Sequence, residues 1–283
     1  MNDVLKTIEE RIPLLPIKQQ TVALAILRDP LAASFQSVKE LSEQIGVSQA
    51  TVVRFAQEVT GEGYPELQAA LRTYIQGLNS PIERLGVNLG VNSEDDALLM
   101  RIFETQQNNL RQTFNPGSIA SLKDACRMLL EANRIFTFGS RGTYAVSFYL
   151  GHHLNRVLKN TEIVADDDRL ADTLCTITAG DAAVIVNLPR YSGRLILAAR
   201  RIHAAGAKLI VIDTQPGSPL SSCGDCCIYV SNSSNDFHNS LVSAMFVSEM
   251  LISIITAKVP QRALDNLNEL EPIFQEFGQF RIP

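Results

Sequence analysis

Residues 37–59, SVKELSEQIGVSQATVVRFAQEV, carry two short amphipathic helix patterns with a single glycine between them, and this spacing commits the chain to a sharp corner between two helices. Ser37, with Glu40 three residues on, has the reciprocal spacing of a capping box, and Val38, Leu41 and Ile45 then share one face of a helix over 37–45. Gly46 stands where a helix commonly ends in a left-handed conformation that only glycine adopts cheaply. Ser48 is the next N-cap, opening a helix over 49–59 in which Val52, Phe55, Ala56 and Val59 keep the i, i+3, i+4, i+7 spacing of a buried stripe. Gln49, Ala50, Thr51 and Arg54 are left on the outward face.

A helix pair joined in this way serves either as a packing hairpin or as a helix-turn-helix that reads duplex DNA. In the second case the first turn of the second helix enters the major groove, where short polar side chains reach base edges and an arginine reaches a base or phosphate. Ser48, Gln49, Thr51 and Arg54 are then the readers, with Lys39, Arg54 and Arg72 as phosphate contacts. The charge balance runs against a simple electrostatic binder: the chain carries a net −5, and residues 1–78 hold seven Lys and Arg against nine Asp and Glu, a balance of −2. DNA affinity comes largely from neutralised phosphates. Such a module must therefore rely on local placement of its cations, on helix N-termini facing phosphates, and on two copies binding together. The expected partner is double-stranded operator DNA, and the expected state a homodimer or homotetramer.

At 283 residues and 46% apolar composition, two domains are expected. No apolar run approaches the roughly 20 residues of a membrane-spanning helix, and the opening MNDVLKTIEERIP lacks the apolar core of a secretory signal. The expectation is a cytoplasmic protein without membrane contact. Five cysteines, an odd number without a regular framework, fit a reducing compartment. Cys223, Cys226 and Cys227 include a CxxC spacing, but a zinc site needs a second pair, so no metal is expected.

Periodicity divides the chain into an all-α bundle over 1–78, a linker and connecting helix over 79–117, and an α/β domain over 118–283. The bundle has about five helices, over 4–11, 17–28, the pair described above, and 64–76, with Pro13, Pro16, Pro30 and Pro65 at the joints. The stretch GLNSPIERLGVNLGVNSEDD has the Gly, Asn and Ser content of a connection, and a helix follows over 95–113. Beyond it, apolar runs at 134–138, 162–165, 182–186, 208–212 and 227–230 alternate with helical patterns at 143–158, 170–178 and 193–205. That alternation implies a five-stranded parallel sheet covered by helices on both faces, an αβα sandwich. Long helices over 237–256 and 263–277 either cover the sheet or mediate dimerisation.

Ligands of an open parallel sheet bind beyond the carboxyl ends of its strands, near helix N-termini. Two loops there carry suitable residues. Gly139, Ser140, Arg141, Gly142 and Thr143 follow the run RIFTF, where glycines admit an anion to the backbone and Thr143 and free helix amides donate to it. Arg190, Tyr191, Ser192 and Arg194 follow AAVIVN around Gly193 and add two guanidinium groups suited to phosphate or carboxylate. Plain strand-to-helix turns with solvated arginines remain the alternative. The sequence GSRGTY does not supply the glycine spacing of a dinucleotide fingerprint, and no cofactor is expected.

The loops FGSRGT and NLPRYSGR, together with GAKLIVIDTQPGSPLSSCGDCCIYV, resemble the sugar isomerase (SIS) domain. With VSQATVVRFAQEV ahead of them, the chain resembles the RpiR family of bacterial transcriptional regulators along nearly its whole length. The resemblance implies an operator-binding amino-terminal module and an αβα domain that senses a phosphorylated sugar or related sugar acid, with Ser140, Thr143 and Ser192 at the phosphate pocket. Where such loops usually have a second glycine this chain has Arg141, which either reaches the anion or fills part of the pocket.

A SIS-type sugar-phosphate isomerase is the competing expectation and requires a general base over the substrate. His152, His153, His238 and Glu249 are the available groups. An attached DNA-reading module makes regulation the leading reading, with no catalytic residues. A purely structural dimerisation protein leaves the two loops unexplained.

Overall fold

The computed structural model describes residues 4–78 and 95–278. They belong to two compact units, one helical and one α/β. The connection expected over 79–94 lies outside the described residues.

The helical unit contains α1 (Val4–Arg11), α2 (Ile17–Arg28), α3 (Pro30–Phe35), α4 (Val38–Ile45), α5 (Gln49–Thr60) and α6 (Tyr64–Leu78), with a 3-10 turn at Ile12–Leu14. The capping box forms as the sequence predicts: Glu40 N–H donates to Ser37 Oγ at 3.2 Å and Ser37 N–H donates to Glu40 Oε2 at 2.6 Å. Gly46 has φ 77°, the left-handed conformation required of the corner. Val52, Phe55 and Ala56 of α5 are fully buried against Ile8, Val22, Ile26, Leu41, Leu67 and Leu71. Pro30, expected at a joint, opens a short helix α3 that periodicity does not predict, capped by Asp29 Oδ1, which accepts from Ala32 N–H at 2.9 Å. Six residues are too few to display a helical period, which is why the Asp-Pro start signal passed unread.

The α/β unit opens with α7 (Asp95–Thr113) and α8 (Pro116–Glu131) and continues through β1 (Ile135–Gly139), α9 (Gly142–Leu158), β2 (Thr161–Val164), α10 (Leu170–Thr176), β3 (Ala182–Val186), α11 (Gly193–Ala204), β4 (Lys208–Asp213) and β5 (Cys226–Tyr229). It closes with α12 (Val242–Lys258) and α13 (Pro260–Glu276). All strands are parallel in the order β2-β1-β3-β4-β5. Because β1 and β3 are buried on both faces, they appear in the sequence as continuous apolar runs. Ile135, Val184 and Ile210 point into one core with Leu129, Leu150 and Leu251 from α8, α9 and α12. Phe136, Phe138, Ile185 and Val211 point into the other with Leu170, Leu195 and Ile202 from α10 and α11.

Two boundaries differ from expectation. Helix α7, set apart as a connecting helix in the sequence reading, is part of the α/β unit: Asn109 and Thr113 are buried, Asn109 Nδ2 donates to Ser233 O at 2.7 Å, and Ser231 N–H donates to Thr113 Oγ1 at 2.9 Å. Helix α12 starts five residues after position 237, because Ser240 N–H is taken by Asn232 O at 3.1 Å and its Oγ by Gln106 Oε1 at 2.6 Å, which holds the preceding segment as a loop. No single helix among the described residues is long and apolar enough to cross a membrane.

Candidate functional site

On the helical unit, the first turn of α5 presents Gln49 and Ala50 to solvent, with Arg54 exposed in the second turn. Ser48 and Thr51 are partly committed to the backbone: Ser48 Oγ accepts from Thr51 N–H at 3.2 Å, and the two hydroxyls lie 2.8 Å apart in a hydrogen bond. That arrangement fixes the angle at which the helix begins and leaves Gln49 and Arg54 as its longest free arms. Lys39 is open to solvent, with Glu43 4.0 Å away at i+4, an exposed pair that restrains it little. Arg72, expected as a phosphate contact, is exposed and also has an internal role: its Nε donates to Ser34 O at 2.8 Å and its guanidinium lies 5.3 Å from the centre of the Phe35 ring, tying α6 to α3.

In the α/β unit the strand order reverses between β1 and β3, and their register pairs Gly139 with Val186. Ser140 and Asn187 therefore flank the crevice at the carboxyl ends of these strands, the usual ligand position in such sheets. A Cβ on Gly139 would lie 2.5 Å from Thr143 O and 2.6 Å from Ser147 Oγ, so glycine is what allows α9 to start directly above the strand. Ser140 N–H donates to Thr143 Oγ1 at 3.0 Å, and that hydroxyl donates back to Ser140 O at 2.9 Å, closing a tight turn. Arg141 heads α9 at φ 54° and ψ −126°, outside any basin comfortable for a residue with a Cβ.

The second loop is held from several sides. Tyr191 OH donates to Asp213 Oδ1 at 2.9 Å, and the fully buried Asp213 also accepts from Thr214 N–H at 2.6 Å. Asn239 Nδ2 donates to Pro189 O at 2.9 Å. Ser192 caps α11, its Oγ accepting from Leu195 N–H at 3.5 Å, while its own N–H donates to Asn187 Oδ1 at 3.4 Å. Arg190, like Arg141, is a non-glycine residue at positive φ, here 71°. Each of the two loops flanking the crevice thus carries an arginine at positive φ, and at Arg141, whose ψ of −126° also lies outside the left-handed basin, the cost is on the order of 1–3 kcal/mol and persists only where the surroundings enforce it.

The structure gathers Gly139, Ser140, Arg141, Gly142, Thr143, Arg190, Tyr191, Ser192 and Arg194 at one edge of the sheet. It also brings in residues the sequence reading missed. Asp166, beyond β2, accepts from Ser140 Oγ at 2.6 Å and pairs with Arg194 Nε at 2.9 Å. Asn187 is 3% exposed, and its Nδ2 has no hydrogen-bond partner among the described residues. Because Ser192 N–H requires an acceptor, the amide oxygen faces the loop and its nitrogen is turned away, an unmet donor beside the crevice. Asp166, Asn187 and Asp213 share a signal that was available: each is the first polar residue closing an apolar strand run.

Of the groups considered for catalysis, His152 and Glu249 are engaged with neighbouring side chains and His238 is exposed. His152 stacks on Phe148 at 5.9 Å, and burial, with the Arg156 and His153 charges, holds its imidazole below the usual histidine range. Glu249 accepts from Tyr149 OH. His238 is exposed and packs its ring edge on Phe237. Of the cysteines, Cys226 donates to Ser121 O at 3.2 Å, and burial pushes its thiol up to about 11.

Comparison with known proteins matches residues 2–77 to the helix-turn-helix domain of the rpiR family and residues 128–254 to the SIS domain. The HTH-type transcriptional regulator HexR of Pseudomonas aeruginosa is 24% identical over 286 residues, covering 100% of this chain and 98% of HexR. Among solved structures, the Vibrio vulnificus NanR protein complexed with ManNAc-6P superposes with a TM-score of 0.68 at 19% identity, covering 97% of this chain and 98% of that one. The sugar isomerase domain of an RpiR transcription factor from Sphaerobacter thermophilus gives 0.60 at 23% identity, covering 62% and 98%.

Proposed function

The chain belongs to the rpiR family of helix-turn-helix proteins with an attached SIS domain, and from that premise we propose that it is a transcriptional regulator of sugar or related metabolite catabolism. Its α4–α5 pair binds double-stranded operator DNA, and a phosphorylated sugar or sugar acid bound at the carboxyl edge of the sheet controls that binding. The observation that carries this reading is the exposure of the first two turns of α5: the helix buries Val52, Phe55, Ala56 and Val59 but leaves Gln49 and Arg54 exposed, as groove entry demands.

In this reading Lys39 and Arg54 contact phosphate or base edges, and Ser48, Gln49 and Thr51 approach the bases. Gly139, Ser140, Arg141, Gly142, Thr143, Arg190, Tyr191, Ser192 and Arg194 surround the effector's anionic group. The balance of −2 over residues 1–78 favours a homodimer or homotetramer, since one copy neutralises few phosphates. The protein acts in the cytoplasm, where its operator lies, and is not an enzyme. The NanR complex supports a phosphosugar effector by analogy of fold.

A labelled fragment from upstream of the chain's own coding region tests the reading by fluorescence anisotropy. The chain shifts it, and Arg54→Ala weakens binding by about 1–3 kcal/mol. Unaltered binding by Arg54→Ala removes that arginine from the interface. For the isomerase alternative, the base next to a loop contact is His238, whose neighbour Asn239 donates to Pro189 O; turnover of hexose or pentose phosphates that His238→Ala abolishes supports that alternative instead.

A further inference from the structure

Resting on the effector site just described, we propose that Asp166 is an internal counter-anion that determines which effectors the crevice accepts. It holds Ser140 and Arg194 as an oxyanion would, and an effector gains these two donors only by displacing it.

Three separate segments meet at this one carboxylate. Ser140 comes from the loop after β1, Arg194 from the first turn of α11, and Asp166 from the loop after β2. Ser140 Oγ donates to Oδ2 at 2.6 Å, while Arg194 Nε lies 2.9 Å from Oδ1 as an ion pair whose angle is not that of a hydrogen bond, leaving Oδ1 without a hydrogen-bond partner among the described residues. A second guanidinium nitrogen of Arg194 donates to Asp167 O, which fixes the arginine on the acidic loop. A hydroxyl and a guanidinium converging from two loops are the donor set that phosphate and carboxylate groups attract. Here that set is closed on the chain's own carboxylate.

The closure is accessible from outside, since the Asp166 side chain is 18% exposed and that of Arg194 is 52% exposed. An anion entering beside Asp166 meets a like charge, which within about 4–6 Å disfavours it by a factor of ten or more. Bare anions are therefore rejected, and the ligands that succeed are those whose remaining atoms make further contacts; Asn187, at the carboxyl end of β3, has an unmet buried donor in Nδ2. The effector class is a polyhydroxy oxyanion, a sugar phosphate or a sugar acid, rather than phosphate itself.

The test is calorimetric titration of the full chain with inorganic phosphate in one arm and gluconate in the other. Asp166→Asn keeps the shape and an acceptor for Ser140 but removes the charge, so it binds inorganic phosphate at least about tenfold more tightly than the parent. Asp166→Ser is the second variant, and thermal melting without added anion confirms that both are folded. Unchanged or weaker phosphate binding in the folded variants overturns the proposal. If Arg141→Ala weakens anion binding while Asp166→Asn does not strengthen it, the effector site stands and the counter-anion alone falls. If neither anion binds the parent or either Asp166 variant, both fall. The gluconate arm separates carboxylate from phosphate as the group that displaces Asp166.

Discussion

At the amino edge of the sheet the carboxylates are closed on structural partners, whereas at the carboxyl edge the side chains are strained, unmet or turned on one another. Arg134, just ahead of β1, grips Asp181, just ahead of β3, through Nη2 at 2.8 Å and Nε at 3.2 Å, and Asp181 Oδ2 also accepts from the N–H and hydroxyl of Thr178 at 2.8 and 3.0 Å. Lys208 and Leu209 N–H hold Asp225 in the same way at 3.0 and 2.9 Å, joining β4 to β5. At the other edge lie Arg141 and Arg190 at positive φ, the unmet Nδ2 of Asn187, and the Ser140–Asp166–Arg194 cluster. Lys159 also has positive φ, but at 56° with ψ 23° it is an ordinary left-handed helix end. One edge fixes strand order, and the other keeps unsatisfied chemistry facing a crevice.

The largest expected effect breaks the amino edge. Asp181→Ala leaves Thr178 N–H without its acceptor and Arg134 without its partner, and is expected to destabilise the α/β unit by about 3 kcal/mol in urea unfolding, with oxyanion affinity unchanged. The pH dependence sharpens the point. Burial alone would raise the Asp181 carboxyl, but the bonds from Arg134 and Thr178 outweigh it and hold it below the usual 3.8. A depressed folded pKa gives stability that is fully present above that value and is lost as pH falls through the lower folded one. Asp181→Ala should therefore flatten the acid limb of the stability profile, and an unchanged limb contradicts the assignment.

The next effect falls on the carboxyl edge. Asn187→Asp keeps the side-chain shape but removes the free donor and adds a negative charge. Oxyanion affinity should drop by about 2 kcal/mol or more in calorimetry, against an unaltered response if Asn187 is only a core amide. The smallest effect is the most diagnostic of the contrast: Arg141→Gly relieves backbone strain and should raise stability by about 1 kcal/mol while weakening anion binding. A loss of both shows that Arg141 holds the loop together rather than serving a ligand.

Much of this was legible in the sequence because the signals were local. The Ser37–Glu40 box, Gly46 and the Val52–Phe55–Val59 stripe specify the corner by short-range rules, and apolar runs such as AAVIV at 182–186 mark strands buried on both faces. The missed items depend on distant partners. Arg72 looks like any exposed cation until Ser34 and Phe35 are beside it, and Asp166 acquires meaning only when Ser140 and Arg194, 26 residues before it and 28 after, arrive at the same point. Helix α7 was misplaced for a related reason: its buried groups, Asn109 and Thr113, are polar, so hydrophobic periodicity did not register them.

The claim on which the account depends is that one chain couples DNA at α5 to an anion at the sheet edge. The direct measurement is a reciprocal titration of the full chain: anisotropy of the labelled upstream fragment with and without the sugar phosphate or sugar acid that gives the largest thermal shift, and calorimetry of that compound with and without unlabelled fragment. The account predicts that the two affinities change by the same factor, about 5–150-fold. Specific DNA binding that no such compound alters, or a compound that binds with an affinity indifferent to DNA, contradicts it.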